Sequence, residues 1–187
     1  MSDLLTNPVP NLPPNKRYIA THDGSGKSII HSSPPQLYTP MGPNGLARSY
    51  ATPTMPAHLT NNVDVTSYLS SSSSSPTTHT TPTIVTPTPS GSNLLIVDLA
   101  PGGMSHMHRT VTLDYSICVI GRIKMEMDGG AFVELGPGDH VIQRGTMHKW
   151  YNASQTEPAR LIGVILPCEP FEIPGTGKLL TEEHLST

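Results

Sequence analysis

Two histidines one residue apart, followed six positions later by an aspartate, mark the stretch SHMHRTVTLDYSICVIG at residues 105–121. Imidazoles and carboxylates together make a mixed nitrogen and oxygen shell. Such a shell suits Fe, Mn, Ni or Zn better than Ca or Mg, which prefer all-oxygen surroundings. The question is whether His106, His108 and Asp114 meet around one divalent transition metal. Side chains alternate faces along a strand, so His106 and His108 project to the same side if this stretch is extended. Six residues of continuous strand would instead carry Asp114 ~20 Å from His108. The three can meet only if the chain folds back within RTVTL, which predicts a tight reversal near Arg109–Leu113 with Asp114 on the next, antiparallel strand.

The rest of the site is expected from LGPGDHVIQRGTMHKWYN. His148 follows a glycine-containing turn and starts the strand HKWYN, from which its imidazole can point into a barrel interior. Gln143, one strand earlier, is a candidate for the pocket wall or a further ligand. Trp150 shares a face with His148 and is read as pocket lining, and Tyr115 is a further candidate to shape the pocket. Blander readings stand beside these. His108 and His148 are also explained as hydrogen-bonded core histidines, and Asp114 as a turn cap or a partner of Arg109. Tyr115, Trp150 and Tyr151 are also explained as core or rim packing, and His140 and His184 as surface residues.

The elements that must position these groups lie mainly in the second half of the chain. From residue 93, NLLIVDL, SICVIG, RIKMEM, AFVEL, HVIQ, MHKWYN and ARLIGVIL follow one another between Gly- and Pro-containing turns. Short strands with turn residues between them and no helical period predict an antiparallel sandwich or barrel. Upstream, residues 1–14 are Pro- and Asn-rich and read as a disordered leader. In residues 15–69, KRYIATHDGSGKSIIHS holds two β-prone runs around Asp23-Gly24, the signature of a hairpin with a turn longer than two residues. The GSGKS within it is not a phosphate loop, because Thr21 stands where that motif needs its first glycine. Scattered apolar runs over residues 33–68 suit edge strands or an arm lying over a sheet. Residues 70–92, rich in Ser, Thr and Pro, offer little to bury and read as a flexible linker, with His79 solvated. The barrel is assigned to 93–172, and 173–187 to a tail that is at most a short helix.

His106-x-His108, Asp114 and then Gly121 resemble the first motif of the cupin family, in which two histidines precede an acidic residue and a glycine. Pro137-Gly138-Asp139, Gly145, His148 and Asn152 resemble the second. HRTVTLDY and VIQRGTMHKWYN are closer still to a group of small fungal and bacterial cupins, whose members carry an N-terminal region like RYIATHDGSGKS. The resemblance spans roughly residues 15–172. It implies an all-β fold, the cupin double-stranded β-helix or jelly-roll barrel, with an N-terminal hairpin arm, and a metal held by His106, His108, Asp114 and His148. Three features depart from the pattern. Cupins usually carry glutamate, one residue nearer, where Asp114 stands. Close relatives need not have histidine at the position of His106. Arg144 replaces a proline of the second motif. Cupins with three, four or no metal ligands all occur.

The resemblance also implies the range of functions. Cupins decarboxylate, isomerise, dehydrate and oxygenate small molecules, and some only bind them. The leading expectation is a metal-dependent enzyme of lyase, isomerase or oxygenase type acting on a small carbonyl- or phenol-containing metabolite, with a tailoring role in a polyketide-like pathway. The alternative is a non-catalytic cupin that binds a small ligand. The chain has 187 residues, a net charge of −3 and only 13% charged residues, with no Lys/Arg run, so nucleic acid is not an expected partner. No stretch reaches the roughly 20 apolar residues of a membrane span, and the N-terminus lacks a signal peptide. Two cysteines, Cys118 and Cys168, make no disulfide framework. A cytoplasmic protein is expected, paired as a homodimer through edge strands that need covering.

Overall fold

The computed structural model describes residues 6–31, 34–71, 75–80 and 90–185. An N-terminal hairpin, β1 (Ile19–His22) and β2 (Ser28–His31), precedes β3 (Tyr38–Met41), β4 (Asn44–Thr52) and a single described α-helix, α1 (Val63–Leu69). The second half supplies β5 (Ser92–Leu99), β6 (His108–Arg109), β7 (Thr112–Ile120), β8 (Ile123–Met127) and β9 (Phe132–Leu135). It continues with β10 (His140–Arg144), β11 (His148–Asn152), β12 (Ala159–Pro167), β13 (Glu172–Ile173), β14 (Lys178–Leu179) and β15 (Glu183–His184).

Two antiparallel sheets face one another. One runs in the order β10-β7-β12-β5-β4-β3, the other β15-β6-β11-β8-β9. This is the expected antiparallel jelly-roll architecture. The barrel core between the sheets gathers Leu99, Cys118, Leu135, Ala159 and Leu161 with Ile123, Met125 and Trp150. These are the alternate residues of their strands, as period-two burial requires. The hairpin before β3 is also as expected. Its five-residue turn is organised by Asp23, whose Oδ1 accepts from the backbone N–H groups of Ser25 (2.8 Å) and Lys27 (3.0 Å).

Three segments are more ordered than their composition suggests. In the Pro-rich leader, Val9 and Leu12 are buried. Pro8 lies over Gly45, where a Cβ would come within 2.1 Å of Pro8 Cγ. The leader also reaches β12, where Arg160 donates to the Pro13 carbonyl at 2.8 Å. The apolar runs of residues 33–68 become β3, at the sheet edge, and β4, which pairs with β5. Within the stretch read as a linker, Thr77 and Thr78 are fully buried. Arg48 donates to the carbonyls of Pro76 (2.8 Å) and Thr78 (3.3 Å), and His79 Nδ1 lies 2.9 Å from the Tyr68 carbonyl. Hydroxyls that bond one another bury without apolar surface, and composition does not report that. The 81–89 part of the stretch falls outside the described residues.

A consequence follows for stability. Deleting residues 75–80 and closing the gap with Gly/Ser should cost at least about 2 kcal/mol, because buried Arg48 loses two carbonyl acceptors. For a chain of this size that is roughly 5 °C of melting temperature. An unchanged thermal melt would show that these contacts contribute nothing.

Candidate functional site

His108 and His148 are brought together. β6 and β11 are neighbours in register, with His148 directly opposite His108. Directly opposed residues share a face, and the two rings lie with centroids 4.4 Å apart. Gly145 makes this possible. The chain leaves β10 in one sheet and enters β11 in the other through a turn that Gly145 takes at φ +64°, a left-handed conformation that favours glycine.

Each imidazole is oriented by a main-chain carbonyl. His108 Nδ1 lies 2.8 Å from the His106 carbonyl, and His148 Nδ1 lies 2.9 Å from that of Thr146. A carbonyl can only accept, so both contacts place the ring proton on Nδ1 and leave the Nε2 lone pair available. Gln143 braces this arrangement. Its Nε2 donates to the Thr146 carbonyl (2.6 Å) and its Oε1 accepts from the Thr146 N–H (3.0 Å), while the amide nitrogen also touches His148 Nδ1. The Thr146 carbonyl can only accept, so it fixes the proton on Nδ1, and a protonated Nδ1 accepts no hydrogen bond from the amide. Trp150 stands edge-on to His148, with centroids 5.6 Å apart, and closes the pair on its buried side.

Asp114 occupies the opposite wall. It lies on β7, directly opposite Gln143 on β10, and its side chain is buried on the face that also carries Cys118 of the core. Its Oδ1 is buried with no hydrogen-bond partner among the described residues. The route by which it gets there differs from the expected reversal. β6 and β7 belong to different sheets, so Thr110 and Val111 carry the chain across the sandwich rather than around a hairpin.

The remaining expected residues fall elsewhere. The His106 side chain is exposed, and it is the main-chain carbonyl of His106 that serves the site. Tyr115, the residue after Asp114, is 39% exposed on the outer face, so it does not line the interior. Strand alternation already placed it opposite Asp114. His140 is exposed, as expected. His184 is exposed, as expected of a surface residue, but it lies on the short strand β15 and stacks on His108, with ring centroids 5.7 Å apart and planes 5° apart. Among the described residues no group of three or more His, Cys, Asp or Glu side chains converges on a single metal position. The donor chemistry of the His108–His148 pair nevertheless fits a transition metal, and Asp114 keeps a buried, unpartnered carboxylate oxygen in the barrel interior. A cleft of about 790 Å³ lies apart from this pair, between the β1–β2 hairpin and α1. Two pairs of its polar groups are joined to one another, Tyr50 to Asp64 and Thr21 to Asn62.

Burial sets the protonation of the site. It pushes His148 down to about 4, with a further contribution from the like charge of His108, and it pushes His108 down as well. Both rings are therefore neutral near pH 7, the form that can ligate. Burial pushes the Asp114 carboxyl up to about 6, partly offset by the Thr112 hydroxyl.

These shifts act on stability in opposite directions. A carboxyl raised on folding binds its proton more tightly in the native state. Its contribution is full below an unfolded value of ~3.9 and is lost as pH rises to about 6, roughly 3 kcal/mol in all. The depressed His148 instead adds stability as pH rises from about 4 to its ordinary 6.5. Asp114→Asn keeps the shape and removes one titration. In metal-free buffer, its stability relative to wild type should therefore improve by up to roughly 3 kcal/mol between pH 4 and pH 7. Urea denaturation at a series of pH values measures this, and parallel curves for the two proteins would refute it.

Comparison with known proteins places the chain in a family. No protein-family model matches the chain. It is 40% identical over 174 residues to phomopsin biosynthesis cluster protein C' of Diaporthe leptostromiformis, covering 91% of this chain and 87% of that protein. It is 30% identical over 171 residues to a cupin-domain-containing oxidoreductase of Neurospora crassa, covering 90% of this chain and 81% of that one. The chain belongs to the cupin superfamily. Among solved structures, a double-stranded β-helix protein of Klebsiella pneumoniae is 18% identical with a TM-score of 0.41, covering 51% of this chain and 76% of that one. In this cupin His108 and His148 lie on one sheet and Asp114 on the other.

Proposed function

We propose that this cupin is a metal-dependent tailoring enzyme of a secondary-metabolite pathway, acting on a small carbonyl- or phenol-containing substrate. The observation that carries the reading is the His108–His148 pair, with both Nδ1 atoms committed to main-chain carbonyls and both Nε2 atoms left as donors. Ligating histidines are commonly held in this way by an outer acceptor. The relatives named for phomopsin biosynthesis and as an oxidoreductase support the pathway context.

In this reading His108 and His148 hold the ion, and Gln143 fixes the Thr146 turn that presents His148. A divalent Fe, Mn, Ni or Zn ion held by these two imidazoles would supply Lewis acidity towards a carbonyl or phenolic oxygen. Asp114 faces the pair from the opposite sheet. A carboxyl near pH 6 both takes and returns a proton close to neutrality, which is what a general base for an acidic C–H or O–H group requires. Trp150 keeps water from the buried end.

A second reading, a cupin that binds a small molecule without turning it over, is favoured by the exposure of His106, which leaves two imidazoles at the site instead of three. Elemental analysis of protein purified without a histidine tag separates the two. About one equivalent of a transition metal per chain is expected, and protein that neither carries nor takes up Fe, Mn, Ni or Zn overturns the metal-dependent reading.

A further inference from the structure

The C-terminal residues are so far unassigned, and three observations place them at the imidazole pair. Leu180 is 2% exposed and packs over Gly145, where a Cβ would come within 2.6 Å of Leu180 Cδ2. It therefore bears on the turn that delivers His148. β15 pairs with β6, setting Glu183 opposite Arg109 and His184 opposite His108. The pairing is pinned by the Arg109–Glu183 ion pair and by the Leu185 N–H, which donates to the Met107 carbonyl at 2.9 Å. Finally, the His184 ring lies parallel to that of His108, and its Nε2 is held 2.9 Å from Glu182 Oε1.

Register turns these contacts into a row. His184, His108 and His148 occupy opposed positions on three successive strands, β15, β6 and β11. The row runs from a buried end to an open one: His148 is 3% exposed, whereas the His184 side chain is 60% exposed. Without β15, the two-residue strand β6 would be the edge of its sheet and His108 would face water on that side. Rotation of an imidazole about χ2 meets only a broad, shallow barrier, so a single carbonyl contact at Nδ1 leaves the ring free to swing.

We propose that β15 is the closing strand of the functional site and that His184 is a positioning residue, whose stacked ring holds His108 with Nδ1 on the His106 carbonyl and Nε2 free to bind. The inference rests on reading His108 and His148 as the working pair. It assigns to the C-terminal segment a role in the site that neither family motif carries. Because the effect is exerted by a ring face, an aromatic ring without nitrogen should replace His184.

The full-length protein, His184→Ala and His184→Phe test this in two ways, with far-UV circular dichroism checking the fold of each. In metal-free protein, long-range proton–nitrogen spectra of the His108 ring report its tautomer. Wild type and His184→Phe should show one tautomer with the proton on Nδ1, and His184→Ala a mixture. In a Co(II) titration, His184→Ala should bind about 10-fold more weakly than wild type, at the lower end of what loss of an outer partner costs, and His184→Phe should recover most of that affinity. An unchanged His108 tautomer in His184→Ala overturns the proposal. So does a folded His184→Phe that behaves like His184→Ala, since the nitrogen rather than the ring face would then be at work. A wild type that takes no Co(II) defeats the metal reading alone, and the tautomer measurement still decides the role of His184.

Discussion

Asp98→Ala should cost this cupin about 3–5 kcal/mol, the loss typical of stranding one charge of a buried ion pair. Asp98 is fully buried, and its carboxylate receives Arg160 in two parallel hydrogen bonds, Nε to Oδ1 at 2.6 Å and Nη2 to Oδ2 at 2.7 Å. The third guanidinium nitrogen donates to the Pro13 carbonyl at 2.8 Å. The pair sits on the outer face of the six-stranded sheet, under the N-terminal leader, so its loss should release residues 8–13 together with the global stability. In a thermal melt the expected shift is roughly 10 °C, accompanied by faster hydrogen exchange in the leader. The double replacement Asp98→Leu with Arg160→Met should recover much of the loss, since a packed apolar pair needs no desolvation of charge. A change below about 1 kcal/mol for Asp98→Ala would mean that water reaches Arg160 as soon as its partner is gone.

The Asp98–Arg160 pair also shows where sequence reasoning stops. Signals carried by local chemistry were readable. The Asp23 turn uses a side chain that bonds its own backbone two and four residues on. The strands from 93 to 167 announce themselves by alternation between turns, and the shared face of His148 and Trp150 is a matter of counting by two. Burial that depends on a distant partner was not readable. Val9 and Leu12 lie in a run whose composition is that of a linker, and they are buried in a segment whose neighbours Pro8 and Pro13 meet Gly45 on β4 and Arg160 on β12. Thr77 and Thr78 have no apolar period, and β15 is too short to have a period at all. Asp114 lies between these cases. Its type and position suggested a polar group in the interior, but two sheets facing each other, not a hairpin, bring it there. Tyr115 is a different case: alternation along β7 sends it outward, opposite the exposed Ile142, on the face away from Asp114.

His108→Ala and His148→Ala should each abolish stoichiometric metal binding while the barrel persists, and both losses should exceed the 10–100-fold that an outer partner costs. The two rings sit in register on adjacent strands, and each presents the one nitrogen its carbonyl leaves unprotonated. Neither substitution should unfold the protein. Removing an imidazole that is neutral and hydrogen-bonded only to a carbonyl strands no charge, unlike the loss of Asp98. His106→Ala should be much milder, for a structural reason: its exposed side chain is dispensable, and the carbonyl that orients His108 is retained by any residue at that position. Asp114→Asn should fall between these, keeping the metal if the carboxyl only moves protons and losing it if the unpartnered oxygen is a ligand. Isothermal titration with Zn(II), alongside far-UV circular dichroism, measures the whole series on one scale. The order His108 and His148 first, Asp114 next and His106 last follows from which atoms reach the barrel interior. If His108→Ala and His148→Ala both retain a full equivalent of metal, the ion is bound elsewhere and the paired imidazoles serve only to pack the two strands that carry them.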